Sequence, residues 1–100
     1  MIERLRVPVS VVMAYDHRLR RISIIQITYD GRIYRIKRIT YRHAQRDGRT
    51  LKHVFAAVGE TAYFKLVLNT DSLAWTLEEV HDHDADSTAL QPKAGDDIAY

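Results

Sequence analysis

The chain contains no cysteine, which removes disulfides and thiolate-held metals as braces and fits a reducing cytoplasm. It has only two prolines, Pro8 and Pro92, and four glycines, too few for a phosphate-cradling glycine-rich loop. Apolar runs such as Val11-Val12-Met13-Ala14 are short, far below the ~20 residues that a membrane-spanning helix needs. The opening Met1-Ile2-Glu3-Arg4-Leu5-Arg6 has no long apolar stretch followed by small residues, so no secretory leader is expected. No serine sits in a Gly-x-Ser-x-Gly elbow, and Glu78-Glu79 would point to opposite faces of a strand. The expectation is a single-domain, non-catalytic cytoplasmic protein with no cofactor and no membrane partner.

Charge is present but segregated. Residues 1–81 hold fourteen Lys or Arg against eight Asp or Glu, whereas residues 82–100 hold one Lys against five Asp. From Tyr15 to His53 the balance is eleven basic residues to three acidic ones. Such a block creates a positive field that attracts polyanions or an acidic partner. The acidic stretch after Asp82 has no apolar periodicity and little area to offset ordering entropy, which predicts a flexible tail over 82–100.

Within 1–81, four turn signals separate strand-like runs: Asp30-Gly31, Asp47-Gly48, Gly59-Glu60 and Asn69-Thr70-Asp71-Ser72. Asp-Gly flanked by β-branched and aromatic residues is the strongest local hairpin signal. A first strand is expected over Leu5–Tyr15, with Pro8 marking an edge or a bulge because it donates nothing to a ladder. Around Asp30-Gly31, a two-residue loop pairs Tyr29 with Arg32, Ile27 with Tyr34 and Ile25 with Ile36. Farther from that turn, Ile22, Ile24, Ile39 and Tyr41 fall on the other parity, so a bulge near Lys37-Arg38 or strongly bent strands must bury both apolar sets. A two-residue turn at Gly59-Glu60 would oppose Ala57 to Ala62, Phe55 to Phe64 and His53 to Leu66. The last strand is read as Leu73–His81. Bent strands of this kind close small barrels and remove edges. The fold expected is therefore all-β: a five- to six-stranded antiparallel barrel, SH3-like or related, over 1–81.

The order of a Val-rich strand, an Ile-rich strand, the segment from Tyr29 to Ile39 (YDGRIYRIKRI), a basic connector, YFKLVLN and LAWTLEEV resembles small uncharacterised bacterial β-barrel proteins. The matching positions are Gly31, Arg32, Tyr34, Ile36, Ile39 and the late Trp75, within residues 5–81. The resemblance implies a fold and a bacterial source, and no activity.

The faces of these strands define two candidate surfaces. The back of the third hairpin carries Val54, Val58, Tyr63 and Val67, an apolar set that points to self-association or another protein. The long third strand carries Arg32, Arg35, Lys37, Arg38 and Arg42, interleaved with Tyr29, Tyr34 and Tyr41. A positive groove with stacking rings is how small barrels hold single-stranded nucleic acid. Parity weakens this second reading, because Tyr34 falls on the apolar side and Arg35 and Lys37 on the other. His81-Asp82-His83-Asp84 offers alternating imidazole and carboxylate but no fixed third and fourth ligand, so no metal site is assigned. His53 is expected on the face of Leu51 and Phe55, as a core or rim group.

Overall fold

The computed structural model describes residues 2–82. Its seven strands are β1 (Ile2–Pro8), β2 (Ser10–Asp16), β3 (Arg21–Tyr29), β4 (Arg32–Asp47), β5 (Thr50–Gly59), β6 (Ala62–Asn69) and β7 (Trp75–Asp82). They form one antiparallel sheet in the order β1-β7-β6-β5-β4-β3-β2. The all-β expectation holds, with two corrections: the strands number seven rather than five or six, and the sheet does not close into an SH3-like barrel. The extra strand arises because the run expected as Leu5–Tyr15 is two strands. β1 pairs with β7 and β2 with β3, at opposite edges of the sheet, and only Val9 separates them. Val9 donates its N–H to the Trp75 carbonyl (3.2 Å), but no ladder joins β1 to β2. The flexible tail expected over 82–100 lies outside the described residues beyond Asp82, where β7 ends.

Five departures from regular pairing bend the sheet, three of them on β3 and β4. β1 bulges between Arg4 and Val7. β7 carries Glu78 as an extra residue, which brings it with Glu79 within reach of Lys65 rather than to the opposite face. β3 carries an extra residue, Ile25, where Val12 opposes Gln26 and Met13 opposes Ile24. β4 carries Lys37 between Ile36↔Gly59 and Arg38↔Val58, and Thr40 between Ile39↔Ala57 and Tyr41↔Ala56. Each extra residue switches the parity of the strand beyond it. Ile24 and Ile27 therefore both face the core, while Ile25 is exposed. The conflict between the two apolar sets of this hairpin is resolved by bulges, one of them at the expected Lys37.

The core comprises Ile24, Ile27, Ile39, Phe55, Ala57, Ala62, Phe64, Leu66, Leu68 and Leu77, with Phe55, Ile27, Leu66 and Leu77 fully buried. Trp75 stacks at a tilt on Phe55 (centroids 5.4 Å) and Tyr34 on Phe64 (5.3 Å). Positive φ at Asp30 (53°) and Gly31 (75°) is the backbone of a type I′ turn, and Tyr29↔Arg32 and Ile27↔Tyr34 pair as expected. Ile25↔Ile36 does not form, because Ile25 bulges and Ile36 pairs with Gly59.

The β5–β6 register differs from the expectation by two residues: Ala57 opposes Phe64, Phe55 opposes Leu66 and His53 opposes Leu68. A shift of two preserves the faces, so the core side of this hairpin is the one expected. The reason lies in Gly59, whose φ is not positive. A Cβ there would sit 3.0 Å from the Phe64 ring and 3.1 Å from the Arg35 carbonyl oxygen. Gly59 is a close-packing glycine rather than a turn glycine. In the β4–β5 hairpin, Asp47 pairs with Thr50, which leaves Gly48 (φ 64°) and Arg49 as the loop.

Candidate interaction surfaces

The face of the sheet away from the core holds the apolar candidates and part of the basic set. Val54, Val58 and Val67 lie outside the core cluster but are only 5%, 5% and 7% exposed. The register sets His43 and Val67 on either side of Val54, and Arg38 and Tyr63 on either side of Val58. Long neighbours on a bent sheet leave these valines little open area, and Tyr63 is half-buried. The patch expected on the back of the hairpin is thus mostly enclosed.

The basic residues of β4 divide between faces. Arg35 and Lys37 are exposed on the side away from the core, and Arg38, opposite Val58, is half-buried there. Arg32 opposes Tyr29 on the core side, beside an open recess of about 330 Å³ lined also by Tyr34, Thr61, Phe64, Val80 and Asp82. Arg42 is exposed opposite Phe55, beyond the two bulges. Tyr34 packs into the core edge, and Tyr41 stacks at a tilt on His43 (5.2 Å). The structure thus does not gather the five basic side chains and the tyrosines into one groove.

His53 is half-buried on the core side with its ring 6.4 Å from that of Phe55. Its Nδ1, like that of His43, is buried without a hydrogen-bond partner. His81 Nε2 lies 3.8 Å from a Glu79 carboxylate oxygen. His83 and Asp84 lie outside the described residues. Among the described residues no three His, Asp or Glu side chains converge on a common point.

Sequence reasoning missed the surface that is open. Among the described residues, the exposed large apolar side chains are Val12, Met13, Tyr15, Leu19, Ile25, Ile33, Tyr41 and Leu73. All but Leu73 fall on β2, β3, β4 or the β2–β3 loop. Met13 and Tyr15 oppose Ile24 and Ile22, so they lie on the core side, yet they are 38% and 61% exposed. What they lack is a strand on their far side. Ile25, Ile33 and Val12 lie on the other side, near Arg35 and Lys37. The available signal was the uncharged run Val11-Val12-Met13-Ala14-Tyr15, which a single Leu5–Tyr15 strand concealed. Comparison with family models, with curated proteins and with solved structures returned no match.

Proposed function

We propose that this protein is a non-catalytic interaction module of the bacterial cytoplasm, whose partner is another protein or a second copy of itself. The observation that carries the reading is the crowding of exposed apolar side chains onto β2–β4. Val12, Ile25 and Ile33 share the side of the sheet away from the core, and apolar side chains grouped on one side support a contact surface. The absence of cysteine supports the cytoplasmic assignment. Replacing Val12 and Ile33 with Asp tests the reading. The expected outcome is loss of assembly, read as solution mass or partner affinity, with each change costing the fold less than about 1 kcal/mol. Unchanged mass and affinity would sink the proposal.

A second reading, binding to nucleic acid, is favoured by one observation: Arg35 and Lys37 stand exposed on the same side as Ile33 and Tyr41. Under it, Arg35→Glu with Lys37→Glu weakens binding to single strands and flattens its salt dependence, because two phosphate contacts fewer release fewer counterions. Affinity insensitive to both changes removes this reading.

A further inference from the structure

We propose that β2 is a self-pairing edge: it adds to β2 of a second copy, antiparallel about a two-fold axis at Met13. The inference rests on the interaction-module reading and names its partner. A strand at a sheet edge presents unpaired N–H and C=O groups along its free side. β2 offers seven residues, Ser10–Asp16, with no Lys, Arg or Pro among them. It carries no extra residue itself, since the bulge of its ladder lies on β3. The free side of β2 is therefore regular, uncharged up to its last residue and lined by apolar side chains.

A second copy fits this edge by its own symmetry. Pairing about Met13 sets Val11 against Tyr15, Val12 against Ala14 and Ser10 against Asp16 of the other copy. The parity keeps Val11, Met13 and Tyr15 of both copies on one side, continuing the stripe of Ile22, Ile24 and Ile27 across the axis. Tyr15 and Val11 form an aromatic and β-branched pair, which is favourable across strands. Charge does not oppose the arrangement. The only ionised group on the edge, Asp16, already accepts the N–H groups of Arg18 (2.9 Å) and Leu19 (3.2 Å) through Oδ1. β4 of one copy would lie five strand spacings from β4 of the other, about 24 Å. At physiological ionic strength that is roughly three screening lengths of about 8 Å, so the two sets of Arg35 and Lys37 repel weakly.

The lack of native cysteine makes a direct test clean. Residues opposed at the two-fold stand about 4.5–5.5 Å apart at Cα, within the range a disulfide spans. The full chain with Met13→Cys is compared under mild oxidation with Ile33→Cys, also exposed but two strands away. Thiols held across a strand pair meet at an effective concentration in the millimolar range, so Met13→Cys should cross-link roughly 100-fold faster than chance encounter at about 10 µM chain. The unmodified chain should sediment at twice the chain mass, and Met13→Lys should return it to one. A dimer that links through Ile33→Cys instead overturns the β2 axis but leaves the interaction-module reading standing. A chain that stays monomeric to millimolar concentration overturns the inference too.

Discussion

β1 and β2 are consecutive, equal in length and joined by one residue, yet they end the sheet in opposite ways. β1 carries Arg4, Arg6 and Pro8, and its own chain bulges between Arg4 and Val7, which oppose Glu79 and Leu77. A charge, a proline and a bulge are each a known way to blunt an edge against further pairing. β2 has none of the three within Ser10–Tyr15. The difference is not one of anchoring: Leu77 behind β1 and Ile27 behind β2 are both 0% exposed. One edge is guarded and the other is left open, so openness at β2 is a property of its free side alone.

The largest effects should test whether anchoring really is equal. Leu77→Ala and Ile27→Ala should each cost about 2–5 kcal/mol in urea unfolding; a small loss at Ile27 alone would mean that β2 is loosely held rather than poised. Removing the guard from β1 should come next. Arg6→Val with Pro8→Val gives the chain two pairing edges, and two self-complementary edges propagate. Light scattering should then show open-ended assemblies where the parent shows a defined mass, and unchanged scattering would mean that the bulge suffices as guard. Smaller still is Thr50→Val, which deletes the bond that the Thr50 hydroxyl donates to Asp71 (2.8 Å), remote from both edges. About 1 kcal/mol is expected from thermal unfolding, with no change in mass. Least of all is Lys65→Gln, which removes half-exposed contacts to Glu78 (3.9 Å) and Glu79 (3.6 Å). Such pairs contribute about 0–1 kcal/mol and less in salt, so a larger loss would show that the face beside β1 is held more tightly than its exposure suggests.

The sequence allowed some of this to be read and concealed the rest for identifiable reasons. Asp30-Gly31 specified its loop and register because both residues tolerate the positive φ that a type I′ turn demands. Gly59 misled because a glycine chosen for close approach to Phe64 looks, in sequence, like one chosen for a turn. The Ile25 bulge was illegible because it depends on how β2 meets β3, which no local pattern encodes. The valines behind the third hairpin were placed on the correct side, but their enclosure depends on His43, Arg38 and Tyr63 brought alongside by the ladders. The β2 edge was hidden by continuity: nothing in Val7-Pro8-Val9-Ser10 announces that the chain is crossing from one side of the sheet to the other.

That crossing at Val9 also bears on the order in which the fold assembles. From β3 to β6 each strand pairs with the next through a short turn, so those ladders close small loops and form early. β1 must wait, because its partners are Thr76 to His81, at the far end of the described chain. β2 finds β3 at once, across His17–Arg20. During synthesis Val9 therefore divides a segment that pairs promptly from one that stays unpaired until the final strand emerges. The strand left waiting longest is the one whose edge carries the charges, the proline and the bulge.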